Sequence, residues 1–524
     1  MYSGGSGTRN DPYLIGTKAD IELMFQNGED EAYYKQIADI DMLGAECSSW
    51  QSDYKGAYDG QNYKISNINF SAGIRGSFFG RVYKMADFDG DAQIKNVRLV
   101  TISVSGDSYC GCFAERLSGV TVQNCHVESG EVTSLDGIGF PSYAGGFVGD
   151  ASESQILDCS FSGAIEAGYN SAGFVGSCWN SVISNCIVNA LVKHNDSQTA
   201  GLVSYLSYHS IVEKCKVRVI FEEIPGTWYS IQVGGIAVTC NGYIGQCTCD
   251  ISINGNRSGY FGGIAVIMQA MEWWGKQYNP IIENCYVHYN NTVFINDDKH
   301  AYIGGIVSYI VARNNCNATI RNCYVSGNIK IEIPENMFIN NKVVVGGLLA
   351  FITQSSGGTI TLDNCFSCLE KIEIYSPGSY TTDKIGRIWA QINDGVLPFL
   401  TSTCYANAGM LYNSGTTFPN ENKTLGGKDG EDIATTALRE KGTYTSRGWD
   451  FNAIWGVVPF YNDGLPYLRC FGDLAYAEKN TFIKIYDSDC DPNLTLLAVV
   501  AKVIDPTISE ELNGAYTFDF SYVI

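Results

Sequence analysis

The chain has 524 residues, with 34 Lys and Arg against 55 Asp and Glu, giving a formal net charge of −21. Glycine is high at 57 and proline low at 12, about 11% (57/524) and 2% (12/524) against usual values of ~7% and ~5%. A hydrophobic content of 45% excludes disorder, the missing Gly-X-Y period excludes collagen, and the acidic balance excludes a nucleic-acid reader, which needs Lys and Arg surfaces.

The N-terminus, Met1-Tyr-Ser-Gly-Gly-Ser-Gly-Thr-Arg-Asn, lacks a basic segment followed by an apolar one, so no export signal is read there. The longest apolar run, Leu494 to Ile504, is short and carries Lys502, so no membrane insertion is expected. Without an export signal, the 19 cysteines read as reduced, buried thiols rather than as a disulfide framework. Residues 1–75 read as an N-terminal cap with the first coils of a repeat.

From residue 76 to 405 a repeat dominates. Its first mark is a small-Gly pair followed by apolar residues: Gly145-Gly-Phe-Val-Gly, Ala172-Gly-Phe-Val-Gly, Ala200-Gly-Leu-Val-Ser, Gly234-Gly-Ile-Ala-Val, Gly262-Gly-Ile-Ala-Val, Gly304-Gly-Ile-Val-Ser and Gly346-Gly-Leu-Leu-Ala, with Gly111-Cys-Phe and the weaker Gly76-Ser-Phe-Phe-Gly before them. Spacings run from 27 (173−146) to 42 (305−263) residues. The second mark is an apolar residue, two further residues and a cysteine. It places Cys125, Cys159, Cys186, Cys215, Cys247, Cys285, Cys323, Cys365 and a degenerate Cys404 at one repeat position. Ile94-Lys-Asn-Val97 carries Val there, which points to a core role. The third mark is period-two alternation, as in Ile329-Lys-Ile-Glu-Ile333.

About three short strands per repeat, with Gly at the bends, predict an all-β fold: a single-stranded right-handed parallel β-helix of about ten coils. Coils rise about 4.8 Å each, so equivalent side chains stack and the cysteines should form an inward column. Glycine is expected to supply positive φ at the corners, and Asn before Cys tolerates the left-handed region. Scarce proline leaves the ladder N–H groups free to bond. Residues beyond the minimal coil should leave the shaft as loops, near Met268–Pro280, Asn290–Ala301, Arg313–Asn317 and Pro334–Lys342.

These Gly-Gly-apolar and Asn-Cys marks resemble the GLUG-type repeats of bacterial surface proteins. The opening Gly4-Gly-Ser-Gly-Thr-Arg-Asn-Asp-Pro-Tyr-Leu-Ile and the segment Tyr54-Lys-Gly-Ala-Tyr-Asp-Gly resemble the first cap of such β-helices. Gly448-Trp-Asp-Phe with Gly464-Leu-Pro-Tyr-Leu468 resembles their closing segment, taken as residues 406–472. Residues 473–524 form a last segment. Within it, Thr481-Phe-Ile-Lys-Ile-Tyr and Ser509-Glu-Glu-Leu-Asn-Gly-Ala-Tyr-Thr-Phe are similar to the opening strands of phage tail-hub proteins of the prophage tail endopeptidase family. That resemblance implies a virion tail component, assembled in the host cytoplasm and joined to other tail proteins through this short C-terminal β module.

Catalytic signatures are absent: there is no Gly-x-Ser-x-Gly and no His-Glu-x-x-His. Asp87-Phe-Asp-Gly-Asp91 and Asp487-Ser-Asp-Cys-Asp491 alternate oxygens as calcium loops do, but read as surface loop and hairpin turn. No metal and no cofactor is called for. Aromatics are the better lead: Trp179, Tyr208, Trp228, Tyr229, Trp273, Trp274 and Tyr278 are expected at bends or in insertions, where they suit sugar rings and protein partners alike. Met268-Gln-Ala-Met-Glu-Trp-Trp could also be a short helical loop. The leading expectation is a non-catalytic phage tail protein that binds a host cell-surface receptor, glycan or protein, with a homotrimer as one assembly it could take. A GLUG-type surface adhesin and a β-helix polysaccharide depolymerase or lyase are the alternatives.

Overall fold

The computed structural model describes residues 1–27, 31–47, 53–70, 76–86, 92–106, 109–134, 143–167, 170–194, 198–223, 231–255, 258–295, 299–333, 343–355, 357–375, 384–392, 400–413, 416–418, 420–459, 461–472, 483–486, 496–500, 510–512 and 516–518. Two compact units divide the chain, Met1–Thr435 and Thr436–Ile524.

The first unit is an all-β parallel β-helix. One coil illustrates the rest: Ala301–Gly304, Val307–Arg313, Asn317–Arg321 and Tyr324–Glu332 follow in order. We call them the glycine, corner, ledge and long strands. Each pairs in parallel with its counterparts one coil away, in register except for a shift between Gly327 and Asn328 of the long strand. Inward positions stack as columns: Val127, Phe161, Val188, Val217, Cys249, Val287 and Val325 along the long strands are all at most 1% exposed. Ile94, Val122, Ile156, Ile183, Val212, Ile244 and Ile282 do the same on the ledge.

A coil therefore has four strands where the sequence pattern predicts about three. The reason is the residue before the column cysteine. Asn96, Asn124, Asp158, Asn185, Lys214, Gln246, Asn284, Asn322 and Asn364 all lie at φ between 50° and 56°. At all of them except Asn364, which lies within the continuous strand Thr359–Tyr375, this left-handed step splits one expected strand into ledge and long strand. Asn is the cheapest non-glycine residue there. The side chains also stack: Asn124 Nδ2 donates to Asn96 Oδ1 at 2.7 Å, and Asn185 Nδ2 to Asp158 Oδ1 at 2.6 Å.

The paired glycines have a different role from the one expected. None of the pairs at 145–146, 234–235, 262–263, 304–305 or 346–347 has positive φ. They are required by close approach instead. A Cβ on Gly304 would lie 1.9 Å from the Val307 carbonyl oxygen, because the chain turns back on itself within three residues. A Cβ on Gly347 would lie 1.9 Å from the Arg387 carbonyl oxygen of the next coil.

Both ends of the shaft carry buried, hydrogen-bonded polar side chains. At the N-terminal end, Thr17 immediately precedes the helix Lys18–Asn27. The Asp20 carboxylate accepts from Ser3 Oγ (2.6 Å), the Gly16 and Thr17 N–H groups (3.0 and 2.9 Å) and Thr17 Oγ1 (2.8 Å), while Thr17 Oγ1 accepts from the Asp20 N–H at 3.3 Å. This is a reciprocal capping arrangement. Burial raises the Asp20 carboxyl, but the hydrogen bonds outweigh it and hold it below its ordinary value of 3.8. Toward the C-terminal end, strand Glu431–Ile433 pairs with Leu400–Asn407. There the buried Arg387 donates to Asp432 Oδ1 (2.6 Å) and to the Asn407 and Gly430 carbonyls (3.2 and 3.1 Å).

The second unit has its own core of Tyr444, Trp449, Phe451 and Trp455, and its strands Trp455–Gly456 and Tyr467–Leu468 are antiparallel. Further along, Ile483–Tyr486 pairs antiparallel with Leu496–Val500, and Glu510–Leu512 with Tyr516–Phe518.

Two measurements check this account. Gly347→Ala should destabilise the protein by about 2 kcal/mol or more in denaturant titration, because backbone cannot yield as a side chain can. Gly442→Ala, where a Cβ meets nothing within 4 Å, should lie within about 0.5 kcal/mol of wild type. Asp20→Asn should cost about 1 kcal/mol at neutral pH. A carboxyl held low in the folded state stabilises above its unfolded value, so this cost should shrink as pH falls below 3.8 and the wild-type group takes up its proton.

Candidate functional site

The feature best suited to a ligand lies outside the shaft, where the glycine strand meets the corner strand. On the corner strands, one outward column runs Arg116, Asp150, Ser177, Tyr205, Thr239, Ile267, Tyr309, Phe351, Gln391. The flanking Ile306 and Ile310 point into the core. From the glycine strands, Tyr260 and Tyr302 stand beside this column in register with each other.

Four rings interlock there. Tyr260 stacks on Tyr302 at 5.0 Å and 11°, and Tyr309 on Phe351 at 5.3 Å and 6°. Edge contacts join the two stacks, Tyr302 to Phe351 at 5.5 Å and Tyr260 to Tyr309 at 6.5 Å. His300 extends the first stack at 6.0 Å. Small residues form the floor: Ala172, Ala200, Val238 and Val266 under Tyr260 and Ile267, then Val344, Ala350 and Ala390 under Tyr302. Ser308 Oγ donates to the Tyr302 carbonyl at 2.8 Å and ties the two strands together. Burial raises the phenols of Tyr260, Tyr302 and Tyr309, so they are neutral hydrogen-bonding groups.

The aromatics singled out by sequence fall on a second cluster. Trp179 is 45% exposed and packs on Tyr205 at 5.3 Å. Tyr208 stacks on Tyr278 at 3.6 Å and donates its hydroxyl to Met271 Sδ at 2.9 Å. Burial, then Tyr205 and Tyr278, push the Tyr208 phenol up to about 12. Trp274 is 89% exposed.

Three of these residues lie on strands rather than in loops. Trp179 ends strand Val175–Trp179. Residues 265–278 form a β-hairpin rather than a helical loop, with Ala265–Trp273 antiparallel to Lys276–Tyr278 and Trp273 opposite Lys276. Its turn is Trp274-Gly275, at φ 53° and 72°, the signs a type I′ turn needs. Trp228 and Tyr229 lie outside the described residues, as do Asp87–Asp91, Asp487–Asp491 and Pro334–Lys342. Among the described residues no three His, Cys, Asp or Glu side chains gather as a metal set.

Sequence reading missed the four-ring corner, although a signal was present. Tyr205, Tyr309 and Phe351 each stand five residues after the first member of their pair, and Tyr260 and Tyr302 two residues before it. The repeat therefore fixes their place on the outer surface.

No family model matches the chain. It is 29% identical over 180 residues to Halomucin of Haloquadratum walsbyi (strain DSM 16790 / HBSQ001), a match covering 32% of this chain and 2% of that protein. The chain thus corresponds to a small part of a far longer relative. Among solved structures, a Bacteroides ovatus protein described as an immunoglobulin A1 protease aligns at 17% identity and TM-score 0.26, covering 90% of this chain and 95% of that one. A second, described as IgA1 protease, aligns at 12% identity and TM-score 0.30, covering 83% of this chain and 24% of that one.

The other constellation marked by sequence, the nine cysteines, is buried in the shaft at no more than 1% exposure, without disulfides. Cys159, Cys186, Cys215, Cys247, Cys285 and Cys323 each donate to the carbonyl two residues back, at 3.1–3.3 Å. Burial raises the thiols of Cys159, Cys247 and Cys323. The arrangement is structural, and it predicts reactivity. A thiol reagent on the native protein should label the exposed Cys470 and leave all nine column cysteines unmodified until denaturant is added, as mapped by peptide mass spectrometry. Labelling of Cys215 or Cys247 in the native state would break the column assignment.

Proposed function

We propose that this chain is a non-catalytic recognition protein whose β-helix binds a cell-surface glycan along the aromatic corner. One observation carries the reading: Tyr260, Tyr302, Tyr309 and Phe351 form a fixed, half-buried aromatic surface on the outside of the shaft. Sugar rings present flat C–H faces edged by hydroxyls. Half-buried rings, three of them with a phenol hydroxyl at the tip, offer an apolar and a polar contact to both features. Coils rise about 4.8 Å, so successive rings along the corner suit an extended chain of sugars better than a single one. The ridge from Tyr205 to Phe351 crosses five coils, about 19 Å.

We place the protein at a phage tail, on the resemblance of residues 473–524 to tail-hub opening strands. Their strand pairs are antiparallel, unlike the parallel shaft, and we assign them to docking onto other tail proteins on that resemblance. A GLUG-type surface adhesin is the second reading. It is favoured by a different observation, that a similar 180-residue stretch forms 2% of Halomucin, so such a segment also occurs within a very long chain.

An oligosaccharide array followed by titration of the best-bound glycan tests the proposal. Tyr309→Ala and Phe351→Ala should each weaken binding about 10- to 100-fold while the shaft still folds and melts cooperatively, at a modestly lower temperature. Unchanged affinity in both variants would remove the corner as the site. Release of shortened oligosaccharide on incubation would replace recognition by depolymerase or lyase activity.

A further inference from the structure

The outward corner column changes from aromatic to polar toward the N-terminal end of the shaft. Arg116, Asp150 and Ser177 follow one another in register, one coil apart. Asp150 stands two coil rises, about 10 Å, before Tyr205. Arg116 and Asp150 are both half-buried.

Opposite charges on neighbouring coils can pair, and one coil earlier they do: Arg81, in register with Arg116, holds Glu115 at 3.1 Å. Arg116 and Asp150 stay apart. No Arg116 nitrogen comes within 4.0 Å of the Asp150 carboxylate, and among the described residues Arg116 makes no hydrogen bond or ion pair. Its guanidinium instead lies over the Tyr109 ring, 3.7 Å from the centroid, and Tyr109 packs on Tyr143 at 5.7 Å. Stacking holds the planar fork by its face and leaves its outer N–H groups to donate elsewhere. Tyr109 takes φ 45°, a left-handed conformation that bulky residues seldom adopt, so the platform is kept at a backbone cost. Burial raises the Asp150 carboxyl above its ordinary 3.8, and the Arg116 charge and the Ser177 hydroxyl offset this only in part. An acceptor so poorly solvated gains from a donor brought by a ligand.

A donor and an acceptor set side by side, with a gap wider than a hydrogen bond between them, match adjacent hydroxyls. One hydroxyl accepts from Arg116 while its neighbour donates to Asp150. The two charges cancel, so the pair has no excess charge with which to select an ionic ligand. We propose that Arg116 and Asp150 form a second sugar subsite on the corner, which takes neighbouring hydroxyls of a neutral hexose unit with the Tyr109 and Tyr143 rings as its apolar side. This subsite deepens the corner reading and rests on it for the remainder of the glycan.

Titration calorimetry of the full chain with cellohexaose, maltohexaose, mannohexaose and hexagalacturonate tests it. At least one neutral hexasaccharide should bind, with an affinity little changed by salt, and hexagalacturonate should bind no more tightly than that one. Arg116→Gln and Asp150→Asn should each still fold and melt cooperatively, and each should weaken the neutral ligand about tenfold. Loss in these two variants with none in Tyr309→Ala and Phe351→Ala would support the subsite and remove the rings. Unchanged affinity in both Arg116→Gln and Asp150→Asn would overturn the subsite, whatever the ring variants do. Tighter binding of hexagalacturonate, or no binding of any neutral hexasaccharide, would overturn it as well.

Discussion

Every feature of the shaft depends on the in-register stacking of backbone on backbone, coil upon coil. With strands about 4.8 Å apart, a residue type chosen once must be tolerated by the coil above and the coil below. That explains the glycine column. At Gly235, Gly263, Gly305 and Gly347 a Cβ would sit 1.9–2.1 Å from the carbonyl oxygen of the equivalent residue in the next coil. The same constraint explains the thiols. Cys215, Cys247 and Cys285 stack beside the left-handed step at Lys214, Gln246 and Asn284. A compact side chain that bonds its own strand's carbonyl fits there without displacing its neighbours.

Stacking fixes the inside and leaves the outside free. Inward columns vary little, from Val to Phe to Cys along the long strands. The outward corner column changes character along the shaft, from Arg116 and Asp150 through Ser177 to Tyr205, Tyr309 and Phe351. Packing inside the shaft does not require that change, because these side chains lie outside the main core. Aromatic pairs add about 0.5–1.5 kcal/mol each, so the four rings stabilise one another modestly and present a surface fixed before any ligand arrives.

The fold was legible because its constraints repeat. A Gly pair and an Asn-Cys step recurring through the chain specify a stacked coil, and Val97 in place of Cys marked the position as interior. What could not be read was the physical reason behind each mark. Positive φ belongs to Asn124 and its equivalents and not to the paired glycines, since a sequence does not display how near two carbonyls and a Cβ come. The candidate site was legible only in part. Trp179, Tyr208, Trp274 and Tyr278 attract notice as large aromatics near bends. Tyr260 and Tyr302 precede Phe261 and Ile303, which are buried, and read like ordinary alternating strand residues. Only the coil geometry brings two strands 42 residues apart (302−260) into one stack.

The position of the rings on strands also decides what kind of recognition they can support. A loop-borne Trp such as Trp274 must be ordered when it binds, and that ordering reduces affinity. Tyr302 and Tyr309 are instead held by the ladder, by the Ser308 bond to the Tyr302 carbonyl and by the floor of Val344, Ala350 and Ala390. Their order is set by folding, so little is left to lose on binding. A preorganised row with repeat spacing then favours a ligand that itself repeats. Each contact can be weak, since several act on one chain and later contacts are effectively intramolecular. An extended glycan meets that description, whereas a compact small molecule would use one coil and gain nothing from the rest.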